Sequence, residues 1–125
     1  MKKVIATTAA PGAIGPYSQA IEANGFVFVS GQIPIDPATG AFASDEVVGQ
    51  AEQSLKNLKA VVEAAGCTLA DVVKTTVFLA DIADFAAVNE VYAKYFTSEC
   101  PARSAVQAAN LPKGALVEIE AIVAK

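Results

Sequence analysis

Apolar side chains recur at three- and four-residue intervals in two stretches of this chain, and six shorter stretches are rich in β-branched and aromatic residues between turn signals. Over positions 46–65 the repeat is Val47, Ala51, Leu55, Leu58, Val62 and Ala65, which is one face of an amphipathic helix. Ser44 or Asp45 stands where an N-terminal cap is wanted, and Gly66 where a left-handed residue closes the helix. Asp84 similarly stands as the cap that opens a second predicted helix running through Phe96, with Phe85, Val88, Tyr92 and Tyr95 on one side and Glu90 and Lys94 spaced for an exposed ion pair. Pro101 stops it from running much further. Strands are predicted over 3–7, 17–23, 26–30, 72–79, 103–108 and 117–123. Asn24-Gly25 between the second and third marks a tight hairpin, because both residues tolerate positive φ.

The resulting order, β-β-β-α-β-α-β-β, implies an α+β fold with a mixed β-sheet whose two helices can cover only one face. Phe26 and Phe28 alternate with Val27 and Val29, so that strand is apolar on both sides; Thr75, Val77 and Leu79 likewise oppose a face that includes Phe78. A sheet that is apolar on both faces, with helices for only one, is expected to bury the second against another copy of itself.

Length sets the scale: 125 residues match one domain, residues 1–125, with no linker to announce another, and allow roughly two-thirds of the unfolded chain's surface to be buried. The formal charge of −4 and only nine basic residues make nucleic acid an unlikely partner, since such binding rests on neutralising phosphates. No apolar run approaches the roughly 18 residues of a membrane span. Lys2 and Lys3 followed by Val4-Ile5-Ala6 faintly resemble a signal peptide, but the apolar part breaks at Thr7-Thr8 and reads better as a first strand. Two distant cysteines, Cys67 and Cys100, form neither a disulfide framework nor a Cys-x-x-Cys pair, which suits reduced thiols in the cytoplasm. With no histidine in the chain, imidazole catalysis and most transition-metal sites are excluded, and no metal or cofactor is expected.

What remains is a short list. Arg103 is the only arginine; its planar fork of donors suits a carboxylate or phosphate, although a plain surface ion pair accounts for it equally well. Strand alternation puts Glu118 and Glu120 on one face about 7 Å apart. They are either a solvated strand face or a place where one glutamate acts as general base or acid, and spacing does not choose. Gly31, after Ser30, permits close backbone approach at the end of a strand. Tyr17 offers a phenol beside Pro16. Cys100 reads as a small apolar filler near a turn rather than a reactive thiol. The glycines form no phosphate loop, so nucleotide binding has little support.

Several segments together carry a resemblance: Ala13-Ile14-Gly15-Pro16-Tyr17-Ser18-Gln19-Ala20, Ser30-Gly31-Gln32-Ile33-Pro34, Val73-Lys74-Thr75-Thr76-Val77-Phe78, Asp84-Phe85 through Asn89, Pro101-Ala102-Arg103-Ser104, and Leu111-Pro112-Lys113 followed by Val117-Glu118-Ile119-Glu120-Ala121. In order and along essentially the whole chain they resemble the RidA (YjgF) family of reactive-intermediate deaminases. The resemblance implies a chorismate-mutase-like α+β fold assembled as a homotrimer, with ligand sites in the clefts between subunits. It implies hydrolysis of 2-imino acids such as 2-iminopropanoate and 2-iminobutanoate, released as enamines by pyridoxal-phosphate dehydratases, to 2-keto acids and ammonia. Carried over by motif, Arg103 binds the substrate carboxylate and Glu118 places or deprotonates the attacking water. Tyr17, Ser30, Gly31 and Asn89 line the pocket.

The family pattern often has cysteine where this chain has Ala105 and phenylalanine where it has Cys100. Alternation puts Ala105 on the face of Arg103, so the change is expected to alter the pocket wall and bear on substrate preference. Two other functions fit the same residues: a module that binds or senses small 2-keto acids, which would need Arg103 but not Glu118, and, less well, an RNA-cleaving translation inhibitor.

Overall fold

A computed structural model describes all 125 residues. Six strands and two helices follow one another as β1 (Lys3–Ile5), β2 (Ala20–Ala23), β3 (Phe26–Gln32), α1 (Val47–Ala64), β4 (Val72–Leu79), α2 (Phe85–Tyr95), β5 (Ala102–Gln107) and β6 (Val117–Ala124). The order of elements is the predicted one. Boundaries moved where side chains do something other than pair. The second strand starts at Ala20 rather than Tyr17 because Gln19 turns inward, its Oε1 accepting from the Thr7 N–H at 2.7 Å and its Nε2 donating to the Thr7 and Pro11 carbonyls.

The strands lie in the order β1-β2-β3-β6-β4-β5. Every neighbouring pair is antiparallel except β4 and β5, which are parallel and joined through α2. Asn24 and Gly25 both take positive φ, 54° and 79°, in the β2–β3 hairpin. Both helices pack on one face, where Val27, Val77, Leu79, Val117 and Ile119 meet Leu55, Leu58 and Val61 of α1 and Val88 and Val91 of α2, all essentially inaccessible to water. Each such leucine or valine contributes about 1.5–3 kcal/mol relative to an exposed one. The opposite face has no helix, and there Phe26 and Phe28 remain 42% and 46% exposed. The two-sided apolar pattern is therefore real, with one side left open.

The helix ends differ in detail from expectation. Gly66 does close α1, at φ 83°, with the Cys67 and Gly66 N–H groups bonded back to Val62 and Glu63 in the paired arrangement of a left-handed terminus. At its start, however, the cap position is Glu46 and no side chain caps it; Ser44 Oγ instead accepts from the Glu46 N–H. Asp84 caps nothing either, because a 3₁₀ turn at Ile82–Asp84 precedes α2 and Asp81 caps that turn by accepting from the Ala83 N–H. Glu90 and Lys94 form no ion pair; the one ion pair joins Lys125 to Glu22.

Two polar side chains on the buried face of α1 hold the loops that surround the open face. Asn57 Nδ2 donates to the Ile33 and Ile35 carbonyls at 3.1 and 2.9 Å while its Oδ1 accepts from Gln53. Gln50 Oε1 accepts from the Leu116 N–H at 2.8 Å, and its Nε2 donates to the Ser44 carbonyl. Buried amides so fully used are stabilising, whereas their loss leaves backbone groups stranded. Asn57→Ala is expected to cost about 1–3 kcal/mol for the carbonyls it abandons, read as a lower urea midpoint with an unchanged slope.

Candidate functional site

On the open face, a bulge bends β3 beside β6. Val29 pairs with Ala121 and Gln32 with Ile119, so Ser30 and Gly31 together oppose one residue of β6. Ser30 is tied down by its Oγ, which donates to the Ser18 carbonyl at 2.6 Å, and by its backbone N–H, bonded to the Gln19 carbonyl at 2.9 Å. Gly31 faces Glu118: a Cβ at position 31 would overlap that carboxylate and lie 2.8 Å from its Cδ. The bulge and the missing side chain together make room for the glutamate.

A cleft of about 780 Å³ opens here, lined by Tyr17, Ser30, Gly31 and Glu118 among others, with Lys113 and Glu120 at its wall. Four of the six expected site residues thus share one cleft. Burial raises the Glu118 carboxyl above its ordinary value of 4.5, and the neighbouring negative charge of Glu120 raises it further. That is the direction a proton-transferring carboxylate needs. Tyr17 is exposed at the mouth.

The other two expected residues form a separate half. Arg103 pairs in register with Thr75 of β4, whose side chain is buried on the helix face. Arg103 Nη1 donates to Asn89 Oδ1 of α2 at 2.7 Å, and its Cζ lies over the rings of Phe85 and Tyr92 at 5.3 and 4.8 Å. No carboxylate touches it, so the ion-pair account does not hold. The sequence did not point to Phe85 and Tyr92 as neighbours of the guanidinium, although both stand on the predicted stripe of the second helix.

These halves do not meet within one chain. Glu118 pairs with Phe78 and Arg103 with Thr75, and 75 and 78 point to opposite faces of β4. Two strand spacings of about 4.8 Å add lateral separation to the thickness of the sheet. Arg103 and Glu118 of one molecule therefore cannot grip the same four-carbon acid.

Ala105 shares the face of Arg103, as expected, pairing with Val77, and it packs against the edge of the core. Cys100, read from sequence as a small apolar filler near a turn, is not packed into the core. It is exposed, its Sγ–H pointing to the Phe96 carbonyl at 3.4 Å, and follows Glu99 at φ 47°. No three His, Cys, Asp or Glu side chains gather as metal ligands.

Two outcomes follow from Glu118 and its glycine. An acid whose folded pKa is raised costs stability as pH climbs from its unfolded value through its folded one, and costs nothing below both. Glu118→Gln should therefore melt no lower than the parent near neutral pH, with the difference in melting temperature closing as pH is lowered through 4.5. Gly31→Ala should displace the carboxylate and lower activity by about tenfold or more, a barrier change of about 1.4 kcal/mol or more, while circular dichroism stays native.

Residues 7–125 match the family model described as Endoribonuclease L-PSP. A Salmonella typhimurium protein named 2-iminobutanoate/2-iminopropanoate deaminase is 55% identical over 100% of this chain and 99% of its own. The human protein of the same name is 53% identical over 98% of this chain and 89% of its own. Among solved structures, E. coli TdcF with bound serine superposes with a TM-score of 0.94 at 49% identity, covering 98% of each chain. The motifs, the six-stranded sheet and these full-length matches agree, and the chain belongs to the Endoribonuclease L-PSP family, that is, the RidA (YjgF) family.

Proposed function

We propose that this protein is a deaminase that hydrolyses small reactive 2-imino acids, 2-iminopropanoate and 2-iminobutanoate among them, to 2-keto acids and ammonia. It acts as a homotrimer whose sites are completed between chains. The observation that carries the reading is the split site, with a cation on the helix face and the half-buried Glu118 carboxylate in the open-face cleft. Relatives above 50% identity that bear this activity in their names support it. The serine bound to TdcF supports it too, since serine has the α-carboxylate that Arg103 is suited to hold.

In this reading Arg103 and Asn89 of one chain abut the cleft of Tyr17, Ser30, Gly31 and Glu118 of the next. The open sheet face, with Phe26 and Phe28 uncovered, is the apolar surface such an assembly buries. The Arg103 fork anchors the substrate carboxylate, a charge-assisted contact worth about 1.5–3 kcal/mol. Glu118 takes a proton from water as the oxygen adds to C2 of the C=N bond. That proton passes to nitrogen to give a neutral carbinolamine; a second transfer through Glu118 then carries the carbinolamine hydroxyl proton to nitrogen as the C–N bond breaks, so that ammonia leaves a 2-keto acid. An imine carbon is already electrophilic, so position and one proton shuttle suffice without metal or cofactor.

Pyridoxal-phosphate dehydratases release such imines and are the functional partners this reading names. Its setting is the cytoplasm. No helix is long and apolar enough to cross a membrane. The ribonuclease of the family description finds little here to work with: one arginine, no histidine and a net charge of −4.

Adding the protein to a threonine dehydratase reaction should speed the disappearance of 2-iminobutanoate; no acceleration over buffer would contradict the deaminase reading. Glu118→Gln should abolish that acceleration while 2-oxobutyrate still binds, whereas a parent that binds 2-oxobutyrate but gives no acceleration would be a carboxylate-binding module instead. Mixing inactive Arg103→Ala and Glu118→Ala chains, unfolded and refolded together in equal amounts, should restore about a quarter of parental activity. Random cyclic trimers contain one intact site in each mixed assembly. No recovery would contradict a site shared between chains.

A further inference from the structure

The guanidinium of Arg103 is held in a bracket supplied by one stripe of α2. Phe85, Asn89 and Tyr92 stand at i, i+4 and i+7, so all three project from the same side of the helix. The Arg103 Cζ lies over both aromatic rings, at 5.3 Å from Phe85 and 4.8 Å from Tyr92, while Asn89 takes one donor at 2.7 Å. Tyr92 is itself fixed. Its hydroxyl shares a buried 2.7 Å hydrogen bond with Thr75 Oγ1, and its ring packs on Phe96 with centroids 4.7 Å apart. Thr75 is the strand partner of Arg103. The bond from Thr75 to Tyr92 therefore ties the ring to the very rung of the sheet from which the arginine projects.

We propose that Phe85 and Tyr92 are positioning residues for substrate binding, and that the Thr75–Tyr92 hydroxyl pair locks them. A solvent-exposed arginine on an edge strand ordinarily samples many rotamers, and ordering it costs free energy when ligand arrives. Here two π faces confine the guanidinium and favour its delocalised cation, while one amide satisfies a single donor and leaves most of the fork for an anion. Lysine has no plane to place against the rings, so the bracket selects for arginine beyond the bidentate contact itself.

This inference rests on Arg103 being the carboxylate anchor. Because Arg103 is the only arginine in the chain, its side-chain NH resonances are unique in a ¹⁵N spectrum. In the parent they should be shifted upfield by the rings, with a high order parameter at Nε. Phe85→Leu and Tyr92→Leu should each reduce the shift and weaken binding of 2-oxobutyrate, measured calorimetrically, about tenfold. Tyr92→Phe, which keeps the ring but loses the bond to Thr75, should recover only part of that loss. Phe85 is only half-buried, so Phe85→Leu reports on the bracket even where Tyr92→Leu unfolds. Unshifted, freely averaged resonances in the parent would overturn the bracket. So would undiminished binding in Phe85→Leu when Arg103→Ala has lost it, and in that case the anchor reading stands. If Arg103→Ala binds 2-oxobutyrate as well as the parent, the anchor itself falls and the positioning role with it.

Discussion

Side chains of a strand alternate between faces, and in this molecule that elementary rule governs where chemistry can happen. β4 carries the division: Thr75 points toward the helices and Phe78 away from them, and their register partners Arg103 and Glu118 inherit those directions. The chain's one guanidinium and the half-buried Glu118 carboxylate are thereby set on opposite sides of a sheet that no small acid can reach through. Completing a site from these two residues requires a second molecule. The uncovered aromatic patch around Phe26 and Phe28 supplies an apolar surface for that molecule to cover.

Each half is prepared by a different part of the fold. On the open face, the bulge at Ser30–Gly31 and the absence of a side chain at 31 admit the Glu118 carboxylate into a partly dry position, where burial and Glu120 both favour its protonated form. Gln50 and Asn57 reach from the core side of α1 to pin the loops forming the cleft wall. On the helix face, α2 contributes an amide and two rings to Arg103. Helix α1 thus organises the acidic half and α2 the basic half.

The elements were legible because their signals are local. The Val47 to Ala65 repeat, the Asn24-Gly25 turn and the alternation through Glu118 and Glu120 each need only a few neighbouring residues to be read. The two-sided apolar pattern of β3 likewise announced an open face. What escaped depends on pairing across distance. Nothing near Arg103 in sequence says that β5 lies parallel to β4 with Thr75 as its partner, and without that register the distance between Arg103 and Glu118 cannot be inferred. Asn57 and Gln50 look like exposed polar residues of an amphipathic helix until the carbonyls they serve, at positions 33, 35 and 44, are brought close. The capping roles given to Ser44 and Asp84 failed for a related reason. A 3₁₀ turn and a local Ser44 contact satisfied the backbone before the expected caps could.

A crystal structure with 2-oxobutyrate bound tests the account most directly. The ligand carboxylate should sit on the Arg103 fork of one chain with its C2 carbon facing Glu118 of a neighbouring chain, and Phe85 and Tyr92 should still flank the guanidinium. A ligand held wholly within one chain, or an Arg103 turned to solvent and untouched by the acid, would contradict it.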